Sequence, residues 1–154
     1  MSHTREKIAA LGIELPAPTT PMGNYVPSLR IGNLIYLSGV VARDANDGLL
    51  AGKLGGDYTV DQGYQAARSC ALQILANVER EAGDLDRIVH IVKVSGMVNA
   101  TPDFTEPPAV INGCSDTLVE VLGDRGRHTR SAFGVATLPG GVSVEIEAVV
   151  EIRA

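Results

Sequence analysis

The sequence predicts a two-layer α+β domain, a mixed β-sheet with two helices on one face, in the order β-β-α-β-α-β-β. Three observations carry that reading. Val142, Val144, Ile146, Ala148, Val150 and Ile152 alternate with Ser143, Glu145, Glu147, Val149, Glu151 and Arg153, the period of two of a half-buried strand. Two stretches place apolar residues at helical spacing: Tyr64, Ala67, Ala71, Ile74, Leu75 and Val78, then Val110, Ile111, Cys114, Leu118, Val121 and Leu122. Leu34–Val41 is a nearly continuous apolar run and Ile88–Val98 is rich in β-branched and apolar residues, as expected of central strands.

Taken in order, Ser2 to Leu11 is predicted to form a short helix, with Ile8, Ala9 and Leu11 on its apolar side and Gly12 as its stop. Leu15-Pro16-Ala17-Pro18-Thr19-Thr20-Pro21 follows. Its prolines forbid helix, so it runs extended over the surface, exposed enough to pack on a neighbouring subunit. Residues 1–22 are read as an N-terminal extension and 23–154 as one domain. Asn24 to Arg30 and Leu34 to Arg43 are two extended segments joined at Ile31-Gly32-Asn33, where Gly and Asn suit a hairpin turn. Gly39 inside the second segment marks a bulge or the close approach of a ligand or backbone. Asp44 to Gly56, rich in Gly, Asn and Asp, is a loop.

Thr59-Val60-Asp61-Gln62 has the form of a capping box that opens the first long helix, and Gly83 closes it. Thr101-Pro102-Asp103 breaks the strand that begins at Ile88. Pro107 and Pro108 suit the first turn of the second helix, since the N–H groups they lack would be unbonded there. Gly123 ends that helix, and Asp124 to Thr129 is a polar loop. Arg130 to Ala148 then reads as a strand pair folded about Leu138-Pro139-Gly140-Gly141. With both helices on one face, the apolar positions of the other would be exposed on a monomer, so self-association through the sheet is expected.

Composition narrows the function classes. A net charge of −5 and a pI near 5.1 argue against a nucleic-acid surface, which needs clustered Lys and Arg. The one dense basic cluster, Arg125, Arg127, His128 and Arg130, is short and suits a local anion site. Cys70 and Cys114 read as buried free thiols, consistent with a reducing compartment. His3, His90 and His128 are too scattered for a linear zinc motif, so no metal is expected. No apolar run reaches the length of a membrane span, and the N-terminus lacks the apolar stretch of a signal peptide. A cytoplasmic location is expected.

The chemistry-bearing residues lie in the last stretch. Arg130 stands at the start of one strand, and Glu145 and Glu147 share a face of the next. By their chemistry alone they read as solvated charges. Arg130-Ser131, followed by Leu138-Pro139 and Val144-Glu145-Ile146-Glu147-Ala148, resembles the C-terminal signature of the Rid proteins, the YjgF/YER057c/UK114 family. Gly23-Asn24-Tyr25 and Gly32-Asn33-Leu34-Ile35-Tyr36-Leu37-Ser38-Gly39 resemble its N-terminal strand pair. The longer N-terminus and Val110-Ile111-Asn112-Gly113 resemble a divergent branch.

The resemblance implies a chorismate-mutase-like α+β fold, a homotrimer with clefts between subunits, and hydrolysis of reactive 2-imino or enamine acids to 2-keto acids and ammonia without a cofactor. It implies that Arg130 binds the carboxylate of a small metabolite and that Glu145 assists the attacking water. Tyr25, Ser38, Gly39, Asn112 and the backbone at Ala132 would line the cleft. Tyr25 would serve a site whose Arg130 belongs to a neighbouring subunit. The chain departs from the family's deaminases in two places: Val40 stands where a glutamine usually follows Ser-Gly, and Ala132 where a cysteine often follows the arginine by two. A non-catalytic carboxylate-binding or regulatory protein is the alternative reading. An endoribonuclease, an activity also attributed to parts of the family, fits the acidic composition least.

Overall fold

The computed structural model describes residues 2–154. Its elements run α1 (His3–Ala10), β1 (Ser28–Ile31), β2 (Leu34–Val41), α2 (Val60–Ala82), β3 (Ile88–Asn99), α3 (Pro107–Leu122), β4 (Thr129–Val135) and β5 (Val144–Ile152). The strands form one mixed sheet in the order β1-β2-β5-β3-β4, in which only β3 and β4 run parallel. β5 is the centre of this sheet. Val144, Ile146, Ala148, Val150 and Ile152 are buried on its helix side, while Glu147 is exposed and Glu145 half-buried on the other.

α2 forms as its capping residues dictate. The Thr59 side chain accepts from the Gln62 N–H and the Gln62 side chain accepts from the Thr59 N–H, while Gly83 closes the helix in the left-handed conformation. α3 begins with Pro107 and Pro108 in its first turn and ends at Gly123. The two helices meet almost backbone to backbone: a Cβ at Gly113 would stand 1.9 Å from the Tyr64 carbonyl oxygen. Tyr64 also donates to Asp116 at 2.7 Å, and Arg68 donates to Thr117 and Glu120 across the same joint. Ala66, Ala67, Cys70, Ile74, Val110, Ile111, Cys114 and Leu118 are fully buried between the helices and the sheet. An aliphatic, alanine-rich core is what a chain with 4% aromatics can build.

Three expectations are corrected. β4 and β5 are not a hairpin, because β3 lies between them. β5 uses both edges, pairing with β2 and β3, and so has no edge left for β4. The turn at Leu138–Gly141 does form, with Gly140 and Gly141 at positive φ. It belongs to residues 136–143, which carry the chain past β3 and are tied down by Ser143 to Leu50 and by Ala51 to Val142. The first strand begins at Ser28, so Asn24 to Pro27 is irregular chain. α1 buries Thr4 and Ile8, whereas Ala9 and Leu11 are exposed. The proline-rich segment runs largely exposed over the surface, as expected, and is tied to α2 at one point: Thr19 bonds the buried Asn77, and Arg80 donates to the Thr19 carbonyl.

The face away from the helices carries Leu29, Ile31, Tyr36 and Phe133, each between 45% and 60% exposed. That face is uncovered in a single chain, as the pattern predicted.

Candidate functional site

Strand register sets which side each functional residue takes. Arg130 pairs with Val94 and Ala132 with Gly96, so both lie in rows that point toward the helices. A Cβ at Gly96 would come within 2.6 Å of Ile111, so α3 sits directly against this part of β3. That approach brings Asn112 to the exposed Arg130 at the sheet edge. Nη1 of Arg130 donates to Asn112 Oδ1 at 2.7 Å and to Ser115 Oγ at 3.2 Å. Asn112 and Ser115 are three apart on α3 and therefore share its face. Both Nη1 hydrogens are engaged. Among the described residues, Nη2 and Nε have no hydrogen-bond partner and no carboxylate pairs with the guanidinium.

Behind this pair stands His128, half-buried in the turn before β4. Its Nε2 lies 2.9 Å from Ser115 Oγ and its Nδ1 2.6 Å from the Gly126 carbonyl oxygen. Burial holds the imidazole pKa below the usual histidine range, and Arg130 and His90 act in the same direction against the Gly126 bond.

On the opposite face, Glu145 sits beside Val41 of β2 and Met97 of β3. β2 bulges here: Leu37 pairs with Ala148 and Val40 with Ile146, leaving Ser38 and Gly39 against the single residue Glu147. The bulge brings the β2 backbone up to Glu145, whose Cδ lies 3.1 Å from where a Gly39 Cβ would be. The Glu145 pKa is raised, first by burial and then by the negative charge of Glu147. Ser38 ties this bulge to the segment carrying Tyr25, since its hydroxyl donates to the Val26 carbonyl at 2.6 Å and its N–H to Pro27 at 3.0 Å. Tyr25 itself is 53% exposed, and its hydroxyl accepts from the Met22 N–H at 3.4 Å.

The residues singled out from the sequence thus fall into two groups. Arg130, Asn112 and Ala132 gather at the helix-side edge. Glu145, Ser38 and Gly39, with the Tyr25 segment, gather on the open face. One chain does not bring the groups together. Asn112, by default a helix-start residue serving local backbone, instead holds Arg130. Ser115 and His128 were missed, although two signals point to them. Ser115 follows Asn112 at a helical spacing, and His128 precedes Arg130 by the two residues that keep extended side chains on one side.

Burial pushes Cys114 up to about 12 and Cys70 well above the ordinary thiol range, so neither offers a thiolate at neutral pH. Among the described residues, no three His, Cys, Asp or Glu side chains gather as metal ligands, and no helix is long and apolar enough to cross a membrane.

The five-stranded mixed sheet, its helix layer and the bulged strand opposite β5 define a chorismate-mutase-like α+β domain. The chain belongs to the YjgF family of Rid proteins: the family described as "YjgF/chorismate_mutase-like, putative endoribonuclease" matches residues 5–147. Protein TCP17 of Trypanosoma cruzi is 44% identical over 144 residues, covering 93% of this chain and 90% of that protein. The crystal structure of Atu1372 from Agrobacterium tumefaciens, a protein of unknown function, is 40% identical with a TM-score of 0.90, covering 97% of this chain and 92% of the other. A structure from Shewanella oneidensis called a putative endoribonuclease is 31% identical with a TM-score of 0.93, covering 98% of this chain and 100% of the other.

Proposed function

We propose that the protein hydrolyses reactive 2-imino or enamine acids to 2-keto acids and ammonia, in clefts completed between the subunits of a homotrimer. The observation that carries this reading is the Arg130 guanidinium, held by Asn112 and Ser115 through Nη1 alone, with Nη2 and Nε left to face a planar anion. A carboxylate suits that pair of donors, and the guanidinium stays charged at any working pH. Glu145 lies on the other face, so the cleft joins Arg130 and Asn112 of one subunit to Glu145, Ser38, Gly39 and Tyr25 of the next. The exposed apolar residues of the open face support the assembly this requires.

In the reaction, water adds to the imine carbon and gives a proton to the Glu145 carboxylate, while the C=N π pair moves to nitrogen. Glu145 returns the proton to that nitrogen, giving the carbinolamine. It then takes the hydroxyl proton and passes it to the NH2 group as the C–N bond breaks, so the oxygen lone pair forms the keto C=O and ammonia leaves. The raised Glu145 pKa suits a group that first takes and then gives a proton. Tyr25 closes the cleft, and main-chain groups at Gly39 and Ala132 orient the imine nitrogen.

The test is hydrolysis of freshly generated 2-iminopropionate and 2-iminobutyrate by the purified protein, with its mass measured by light scattering. Accelerated ammonia release by a trimer is expected. Tight binding of 2-keto acids without acceleration would identify a carboxylate-binding protein instead. A monomer at assay concentration would remove the shared cleft.

A further inference from the structure

The link that continues from Ser115 to His128 has no part in the reaction above. Ser115 Oγ accepts from Arg130 Nη1 at 3.2 Å and lies 2.9 Å from His128 Nε2. His128 Nδ1 faces the Gly126 carbonyl at 2.6 Å, and a carbonyl only accepts, so Nδ1 carries a proton. In the neutral ring Nε2 is then an acceptor, and it takes the Ser115 hydroxyl proton. The serine oxygen turns its lone pairs to Arg130 for as long as that proton points at the imidazole. Together with Asn112 it fixes the plane of the guanidinium.

We propose that Ser115 and His128 are positioning residues for Arg130, and that His128 takes up a proton when a carboxylate binds there. This rests on the reading of Arg130 as the carboxylate site. The Arg130 charge disfavours the imidazolium, and a bound carboxylate cancels that charge. Once protonated, Nε2–H donates to Ser115 Oγ, whose second lone pair still accepts from Arg130.

The other charges around the ring come from three sources. His90 on β3 and Glu151 on β5 line the same depression as His128, with Arg127 beside it. Arg127 is paired with Asp124, so its charge is partly offset. Arg130 and His90 both act against the imidazolium. Burial lowers the pKa of the ring in the free protein.

The sign follows from linkage. A bound anion raises the His128 pKa, so affinity is greatest below that pKa and falls as pH rises through it. One unit charge at an intermediate dielectric changes affinity about three- to tenfold.

The experiment is calorimetric titration of the full-length protein with pyruvate between pH 5.5 and pH 8.5, in buffers of different ionisation enthalpy. Wild type is expected to take up a fraction of a proton and to bind about three- to tenfold more tightly at the acid end. His128→Gln is expected to lose this slope. Ser115→Ala is expected to weaken binding about fivefold and Ser115→Thr to restore it. NMR titration of the His128 ring in wild type needs no variant, and its pKa is expected to rise on saturation with pyruvate. An unmoved His128 pKa, or the same slope in His128→Gln, would overturn the relay and leave the Arg130 site standing. No pyruvate binding by wild type at any pH would overturn both.

Discussion

At the helix-side edge, Arg130 is exposed and held by neutral dipoles from Asn112 and Ser115. On the opposite face Glu145 is half-buried against a glycine bulge, beside Glu147, and no donor among the described residues bonds its carboxylate. The contrast follows from what each charge is asked to do in the proposed reaction. A cation that binds an anion can stay in water with its fork fixed, because amide and hydroxyl oxygens orient it without neutralising it. A carboxylate that exchanges protons needs its charge made less favourable, which burial and a like charge accomplish.

Four perturbations test this division, from the largest effect to the smallest. Glu145→Gln keeps shape and removes the proton acceptor. It is expected to lower kcat for 2-iminopropionate by about 10²- to 10⁴-fold while pyruvate affinity changes little. An unchanged kcat would take Glu145 out of the chemistry. Arg130→Ala is expected to weaken pyruvate binding about 100-fold, the loss of charged hydrogen bonds worth about 3 kcal/mol, with the assembly unaltered in light scattering. Affinity unchanged in that variant would remove Arg130 from the site.

Gly39→Ala places a methyl 3.1 Å from the Glu145 carboxyl carbon. The carboxyl must shift by a few tenths of an ångström, and kcat is expected to fall about tenfold with binding retained. The last is a pH effect. Glu145 acts as a base only when ionised, so the rate falls as pH drops through its raised pKa, and this acid limb lies above the ordinary carboxylate range. Glu147→Gln removes one of the two causes of the shift. It should move the limb to lower pH without abolishing the reaction, and an unmoved limb in the pH–rate profile would assign the shift to burial alone.

Most of the fold was legible because it is written in local codes. The capping box at Thr59, the prolines opening α3 and the alternation through Val142–Ile152 each specify their element without reference to the rest. The pairing of β4 was not legible. A turn sequence reports that the chain bends, and says nothing of whether another strand has taken the edge in between. Here β3 is inserted by a helix crossover from far upstream. The site divides in the same way. Gly39 announced a bulge or the close approach of a ligand or backbone; the bulge is there, and what approaches is the Glu145 side chain. The Ser115–His128 link escaped because it depends on how α3 lies across the sheet edge, a contact between segments that no single periodicity records.

The near-contact of α2 and α3 at Gly113 has a consequence for motion. Asn112 and Ser115 flank that glycine, where the Tyr64 carbonyl leaves no room for even a methyl group. Sliding or rotating α3 would separate the helices at their tightest joint, so the two oxygens that grip Arg130 ride on one of the stiffest parts of the molecule. Amide hydrogens around Gly113 should exchange with solvent only on global unfolding, whereas those of the Tyr25 segment should exchange through small local fluctuations. The anchor of the proposed cleft is then a fixed jaw.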